Sequence, residues 1–264
     1  MVSAMWAGEW EIRRFAEIDS TNTYLRQEAR HGAPEGLVAV ADHQTAGRGR
    51  LDRRWESPPG ANLLTSVLLR PACDSGHLHL ASAAVAMAAA DACLDVAGVE
   101  AALKWPNDLL VGGAKLAGVL AEAEFDGPRL AAVVVGIGIN VAWPGSAEAG
   151  GTCLDDAGGA AQPVDKAVLL DGMLEGLAAR RPLLDDEAGR RALADEVRRR
   201  CATLGQRVRV TLPAGELTGV ATAIDDAGRL VVATASGPRT VSAGDVVHLR
   251  PDEETSAFRA PGST

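Results

Sequence analysis

Residues 41–55 read ADHQTAGRGRLDRRW, and the rest of the chain can be interpreted outward from this stretch. It follows the apolar run LVAV at residues 37–40, which predicts a buried strand that ends at the motif. Gly47 and Gly49 would let successive backbone N–H groups turn toward one point, because glycine adopts positive φ at little cost. Four arginines, at positions 48, 50, 53 and 54, add ionised forks that suit phosphate or carboxylate. The pattern predicts an anion-binding loop at a strand end.

This loop does not match the two common phosphate-binding motifs. A dinucleotide-binding fingerprint would need a third glycine near Leu51 and Asp52, and a P-loop would need Gly-Lys-Ser/Thr. Taken alone, such a stretch fits a solvated basic loop better than an anion-binding loop. The remaining motifs decide between the two interpretations.

Composition narrows the classes of function. A net charge of −9 and a pI near 5.1 argue against a general nucleic-acid or membrane-surface role, so the basic loop is expected to serve a small anion. The four cysteines lack metal-ligand spacing, which fits a reducing cytosol. The N-terminus is too charged for a signal peptide. The apolar stretch 80–99 contains Asp91 and Asp95 and predicts a buried helix.

Lysine and asparagine are scarce in this chain. There are three lysines, at 104, 115 and 166, beside 23 arginines, and four asparagines, at 22, 62, 107 and 140. Where arginine replaces lysine so freely, a retained lysine is more often required chemically. Two of these lysines and three of these asparagines lie in the motifs described below.

The first two thirds of the chain alternate strand and helix patterns. Predicted strands cover 10–15, 36–42, 61–70, 100–105, 109–111, 114–125 and 129–141, and predicted helices cover 20–30 and 78–96. Gly112-Gly113 and Asp126-Gly127 mark hairpins. We therefore expect an α+β fold, with a mixed and mainly antiparallel sheet and helices on one face.

The last third of the chain contains a loop-like segment, two helices and a group of short strands, in that order. Residues 143–163 are rich in glycine, alanine and serine and predict a mobile lid, and two amphipathic helices follow at 164–181 and 185–204. Five short strands after Gly205 predict a small β-barrel. The expected domains are a catalytic unit at 1–204, a barrel at 205–251 and a disordered tail at 252–264.

Two further motifs add candidate functional residues to those of the arginine loop. KWPND at 104–108 and KLAGVLAE at 115–122 each have a simple alternative, a turn for the first and a solvated strand end for the second. Together with the arginine loop they offer an anion cradle, two lysines and an aspartate suited to Mg²⁺. Such a set can activate a carboxylate with ATP. No base is needed, because the carboxylate is already ionised and positioning with electrostatic stabilisation can carry the step.

STN at 20–22, HQTAGRGRLDRRW, KWPNDLLV, KLAGVLAE and GIGINV, in this order, closely resemble the biotin–protein ligases, also called biotin–[acetyl-CoA-carboxylase] ligases. GVATAIDDAGRLVV and GDVVHLR resemble the small SH3-like barrel of that family. The resemblance implies a catalytic fold related to class II aminoacyl-tRNA synthetases. It also implies two steps: biotin and ATP give biotinyl-5′-AMP and pyrophosphate, and biotin then passes to a lysine of a carboxylase carrier domain.

The resemblance also implies roles for individual residues. The biotin ureido ring would be bound by Ser20, Thr21, Asn22 and Gln44, the biotin carboxylate and phosphate by Arg48, Gly49, Arg50 and Lys115, and the valeryl tail would lie over Gly118 and Gly138. ATP would be bound by Arg50, Arg53, Trp55, Asn107, Asp108 and Asn140. The catalytic set would be Lys115, Arg50, Arg48 and Asp108, with Asp108 also the candidate Mg²⁺ ligand and the candidate acceptor of the carrier lysine's proton. No permanently bound cofactor is expected.

Two departures from the family pattern bear on function. Asp52 stands where the family loop has glycine, which would weaken the local positive field. Nineteen residues precede Ser20, too few for the family's DNA-binding domain, so we expect a monofunctional ligase without DNA or membrane partners. We expect a cytoplasmic protein, and an exposed sheet edge could pair with a carrier domain or with a second copy of the chain as a homodimer. The alternatives are a non-catalytic biotin or nucleotide sensor and a relative of the lipoyl and octanoyl transferases.

Overall fold

The computed structural model describes residues 9–51, 53–146, 150–158, 163–212, 215–242 and 244–249. Asp52 and the predicted tail therefore lie outside the described residues. Two β-sheets organise the described part of the chain, one of seven strands and one of five.

The larger sheet is mixed and mainly antiparallel, as expected. Its strands are β1 (Glu11–Ile18), β2 (Leu37–Gln44), β3 (Leu63–Leu69), β4 (Ala102–Lys104), β5 (Asp108–Val111), β6 (Ala114–Asp126) and β7 (Arg129–Ile139). They lie in the order β1-β2-β3-β7-β6-β5-β4, with β1 and β2 parallel and the other pairs antiparallel. The two predicted hairpins join β5 to β6 and β6 to β7.

Three helices cover one face of this sheet. They are α2 (Leu78–Ala97), α4 (Lys166–Arg180) and α5 (Glu187–Arg200), and a short helix α3 (Leu154–Ala157) precedes α4. Alanines of α2 let α4 approach closely: a Cβ on Gly176 would lie 3.3 Å from the Cα of Ala88. By length and composition α2 could cross a membrane, but it is largely buried in this core, which agrees with the prediction of a buried helix.

Helix α1 (Thr21–Arg30) lies on the opposite face, so the expectation of helices on one face is wrong. Leu25 of α1 packs in one cluster with Leu37 and Ala39 of β2, whereas Val38 and Val40 face the α2 side. The strand residues are apolar on both faces, which is typical of strands buried on both sides. Helix α1 covers only part of its face, and the remainder forms the floor of a cavity.

The smaller sheet contains β8 (Arg207–Leu212), β9 (Gly215–Ile224), β10 (Leu230–Thr234), β11 (Gly237–Val241) and β12 (Asp245–His248). The order is β11-β10-β9-β8-β12 and every pair is antiparallel. Trp105 of the catalytic part is buried in its core, where the indole Nε1 donates to the carbonyl of Gly228 at 2.9 Å. The two sheets are thus joined through one large side chain.

The segment predicted as a mobile lid is partly ordered against the sheet. Gly151 forms a β-bridge with Lys115, and the backbone N–H of Thr152 donates to the Lys115 carbonyl at 2.9 Å. Helix α3 follows directly. Residues 147–149 and 159–162 lie outside the described residues. The predicted lid thus contains a β-bridge and a short helix, and its mobility stays a prediction.

Candidate active site

A cavity of about 480 Å³ lies on the part of the sheet face that α1 leaves open. Its floor comes from β3, β6 and β7, and its walls come from the arginine loop, residues 104–108, residues 143–146 and residues 244–246 of the smaller sheet. Every residue singled out from the sequence as a binding or catalytic candidate lines it. The structure therefore brings together motifs that are up to about 120 residues apart in the chain.

One end of the cavity is a network of buried polar side chains. Thr21 N donates to Gln44 Oε1 at 2.8 Å, Ser66 Oγ donates to Asn22 Oδ1 at 2.6 Å, and the Thr21 and Ser66 hydroxyls are 2.6 Å apart. Because Ser66 gives its proton to Asn22, it can only accept from Thr21, and the single Thr21 hydroxyl proton also lies within reach of Gln44 Oε1 at 3.1 Å. Buried polar groups persist only when paired in this way. The network supplies a rigid polar surface for a ligand head group.

Ser66 was not singled out from the sequence, although a serine in the otherwise apolar run LLTSVLL was a usable signal. Gly136 lies beside it, and a Cβ there would be 2.2 Å from Asn22 Oδ1. A glycine within a strand often marks the close approach of a neighbouring group. In the structure Gly136 admits the amide of Asn22.

The arginine loop keeps its shape without positive φ at its glycines. Neither Gly47 nor Gly49 has positive φ, and Leu51 takes φ 55° instead, so that part of the expectation is wrong. Gly47 is required for a close approach, since a Cβ would be 2.4 Å from the Trp55 carbonyl. Trp55 N donates to the Gly47 carbonyl at 3.0 Å and Gly49 N to the Arg53 carbonyl at 2.7 Å, which makes the loop a compact hairpin.

Three arginines of the loop contact three different parts of the structure. Arg48 reaches Glu122 of β6 at 2.9 Å, Arg50 reaches Asn107 at 3.3 Å and Arg53 reaches Asp245 of β12 at 2.7 Å. Glu122 also accepts from Asn22 at 2.9 Å, which connects the loop to the polar network. Neither Glu122 nor Asp245 was singled out from the sequence, because each lies far from its arginine along the chain.

Arg50 is the cation best placed to receive an anion. Burial lowers its pKa below the usual range of arginine, although Asp108 and Asp245 oppose this effect. Within the described residues its hydrogen-bond partner is the neutral amide of Asn107. A guanidinium that is half-buried and still charged gains most from an arriving carboxylate or phosphate.

Lys115 and Asp108 form an ion pair inside the cavity, with Nζ 2.7 Å from Oδ1. The lysine Nζ also lies 5.6 Å from the ring centroid of Trp55. The described residues hold no group of three or more His, Cys, Asp and Glu side chains suited to a metal. A single carboxylate still suits Mg²⁺, which usually keeps its waters and bridges to phosphate oxygens. Asp108 therefore fits a metal brought in with a nucleotide.

Trp55 occupies the space above the two floor glycines that were expected to leave room for a ligand tail. A Cβ on Gly138 would lie 2.4 Å from the indole and one on Gly118 would lie 3.0 Å from it. The buried indole Nε1 has no hydrogen-bond partner among the described residues. In this structure the glycines admit Trp55, so their role toward a bound ligand stays a prediction.

Asn140 lines the cavity, but its amide is already engaged. Its Nδ2 donates to the carbonyls of Pro144 and Thr152 at 3.1 Å each and to that of Lys115 at 3.4 Å, and its Oδ1 accepts from Asn62. A direct role of this side chain toward a nucleotide also stays a prediction.

Comparison with known proteins gives a consistent family. Residues 15–140 match the biotin/lipoate A/B protein ligase family and residues 203–249 match the biotin protein ligase C-terminal domain. A biotin–[acetyl-CoA-carboxylase] ligase of Mycobacterium tuberculosis is 40% identical over 89% of this chain and 88% of its own length. A ligase of the same name from Paracoccus denitrificans is 33% identical over 88% of this chain and 98% of its own length.

A solved structure agrees with the sequence relatives. The biotin protein ligase from Aquifex aeolicus, in complex with biotin and ATP, superposes with a TM-score of 0.75 at 26% identity. The match covers 91% of this chain and 99% of that one. The similarity thus extends through both sheets.

Proposed function

The chain belongs to the biotin protein ligase family, and from that premise we propose how its cavity performs the two-step reaction. The protein is an ATP-dependent ligase that activates biotin and transfers it. The observation that carries the residue-level proposal is the convergence of the arginine loop and Lys115 on one cavity whose far end is a buried polar network. We further propose that the acceptor is the carrier domain of an acyl-CoA carboxylase and that the protein works in the cytoplasm.

The polar network is the proposed site for the biotin ureido ring. A ureido group presents two N–H donors and one strong acceptor, and Thr21, Asn22, Gln44 and Ser66 offer both kinds of partner at fixed positions. Ser20 lies at the same end of the cavity and caps α1 through its hydroxyl. A network that is already paired is preorganised, so binding loses little side-chain entropy.

The first step is proposed to take place between Arg50 and Lys115. A biotin carboxylate oxygen attacks the α-phosphorus of ATP, the acyl–phosphate bond forms, and pyrophosphate leaves with the electron pair of the broken P–O bond. The lysine ammonium, now paired with Asp108, would stabilise charge developing on the α-phosphate, and Arg48 and Arg50 would close over the carboxylate and phosphate. Preorganised cations in a shielded site are an effective means of stabilising such a transition state.

Asp108 and Asn107 are proposed to face the triphosphate. Mg²⁺ held by Asp108 would screen phosphate charge when bound. Arg53 and Trp55 line the same cavity and are proposed for the nucleotide side.

In the second step the carrier lysine amine attacks the carbonyl carbon of the acyl adenylate. The new amide bond forms, AMP leaves with the electrons of the acyl–phosphate bond, and the amine proton passes to a base. Asp108 is the proposed acceptor, since it lines the cavity beside Lys115.

We also propose an SH3-like fold for the smaller sheet, kinship of the larger sheet with the class II synthetases, and domain limits near residues 204 and 251.

Biotin-dependent exchange of labelled pyrophosphate into ATP tests the proposed site. We expect exchange in the wild-type protein and a loss of about 10²-fold or more in Lys115→Ala, as for removal of one preorganised charge. Lys166→Ala is the matched control, because Lys166 contacts the Gly60 carbonyl rather than the site residues. Full exchange in Lys115→Ala would overturn the assigned role. Exchange with octanoate or lipoate in place of biotin would overturn the proposed substrate.

A further inference from the structure

Asn62 is a buried asparagine that belongs to none of the motifs. Its side chain is 1% exposed and lies just before β3. Its Oδ1 accepts from Val141 N at 2.9 Å and Trp143 N at 3.2 Å, and its Nδ2 donates to Asn140 Oδ1 at 3.3 Å and to the Trp143 carbonyl at 3.1 Å. One amide thus makes four hydrogen bonds to a single short segment. That segment leads from β7 into the wall of the cavity.

The same segment holds the backbone of Lys115. The Lys115 carbonyl accepts from Thr152 N at 2.9 Å and from Asn140 Nδ2 at 3.4 Å. Asn140 is in turn oriented by Asn62, because the donor from Asn62 fixes which end of the Asn140 amide is the oxygen. The two amides form a relay from the start of β3 to the start of β6.

Lys115 needs this support because ordinary sheet pairing ends before it. The pairing of β6 with β7 begins at Ala117 opposite Ile139, so Lys115 has no partner on that side within β7. On the other side the register with β5 shifts, since Leu109 pairs with Ala117 and Leu110 with Lys115. Such a bulge re-aims a side chain and interrupts the ladder. The backbone beneath the lysine is therefore held by the relay and by residues 151–152.

We propose that Asn62 is a positioning residue for the adenylation step, acting through Asn140 and residues 141–152 on the placement of Lys115. This inference rests on the proposed function of Lys115. A shift of the lysine by a fraction of an ångström would weaken its contact with the α-phosphate, whereas the ureido end of the cavity would remain unchanged. Asn62 therefore affects the chemical step and not the capture of biotin.

The test compares Asn62→Ala with the wild-type protein in biotin-dependent pyrophosphate exchange, below the unfolding temperature of both. We expect kcat to fall about 10- to 100-fold, as for a small misplacement of a catalytic group, with KM for biotin changed by less than about 3-fold. Leu174→Ala is the control, since Leu174 is buried in α4, outside the hydrogen bonds of the relay, and its truncation lowers stability through a cavity. It should lower Tm and leave kcat unchanged.

Asn62→Asp separates positioning from a general structural role. The aspartate keeps both acceptor bonds but turns an ionised oxygen toward Asn140 Oδ1, and protonation restores one donor. We expect the ratio of its kcat to that of the wild-type protein to rise as pH falls, whereas the ratio for Asn62→Ala stays flat. Equal kcat in Asn62→Ala and the wild-type protein overturns the inference, as does a parallel loss in Leu174→Ala. Absence of exchange in the wild-type protein overturns the proposed function instead.

Discussion

At the scale of single residues, the glycines of the cavity floor mark where other side chains come close. Gly136 admits Asn22, and Gly138 and Gly118 admit Trp55. Each lies in a strand, where glycine weakens packing and is best explained by such an approach. The shape of the floor therefore depends on the absence of three methyl groups.

Gly136→Ala should reduce biotin affinity. The new methyl would stand 2.2 Å from Asn22 Oδ1 and displace an amide that hydrogen-bonds Ser66. We expect Kd for biotin, measured by isothermal titration calorimetry, to rise about 10-fold or more, the equivalent of one or two lost hydrogen bonds. Gly172→Ala is the control, because a Cβ there meets Ala92 at an ordinary 3.5 Å. Unchanged affinity in Gly136→Ala would contradict the ureido assignment.

The residues that the sequence predicted are those that lie within contiguous motifs. Arg50, Asn107 and Lys115 could be found because a basic loop and two lysine motifs stand out in an acidic, lysine-poor chain. Asn62 and Asp245 could not, since their roles depend on partners about 80 to 190 residues away that only the fold brings near. Sequence spacing carries no information on such contacts.

At the scale of elements, apolar periodicity predicted strands and helices well where one face is buried. Helix α1 begins at Thr21, with Ser20 as its N-cap, and ends at Arg30, and α2 agrees with its predicted range within one residue at its end. The prediction that α1 packs on the same side of the sheet as the other helices was wrong. Strands that are apolar on both faces do not indicate which face a given helix covers. Within the predicted lid, Gly151 pairs with Lys115 and the Thr152 carbonyl accepts from Asn140, and such long-range contacts cannot be inferred from the local composition.

The conformation of the arginine loop depends on contacts with other elements. Its three outward contacts reach β6, residues 104–108 and the smaller sheet. The closed form of the loop therefore depends on all three of these elements. Hydrogen bonding with Arg53 lowers the pKa of Asp245, so this carboxylate stays ionised well into the acid range. Closure over a reactive acyl phosphate would shield it from water.

At the scale of the whole molecule, the two sheets meet around Trp105 and Thr203. Trp105 N donates to Thr203 Oγ1 at 3.0 Å, and the same oxygen lies 3.1 Å from His248 Nε2. Either atom of this second pair can be the donor, depending on the histidine tautomer. Burial lowers the pKa of His248 below its usual 6.5, and Lys104 lowers it further.

This junction should make stability depend on pH. Because the folded pKa of His248 is lowered, the unfolded chain binds the proton first, so stability is full above about pH 6.5 and falls as pH falls through the folded value. We expect the drop in Tm between about pH 7.5 and 5.5 to be smaller by about 1–2 °C in His248→Gln, measured by calorimetry. His79, whose pKa burial also lowers, remains as an internal reference. Identical drops in the two proteins would exclude the junction as a titrating contact.

The central claim is that the arginine loop and Lys115 act on one acyl–phosphate junction, and a double-mutant cycle of Arg50→Ala and Lys115→Ala on the single-turnover rate of adenylation tests it most directly. Groups that act as a unit are strongly non-additive, so we predict that the double variant loses less than the sum of the two single losses by more than about 1 kcal/mol. Losses that add within about 0.5 kcal/mol would mean that the two cations act independently, and would contradict the claim.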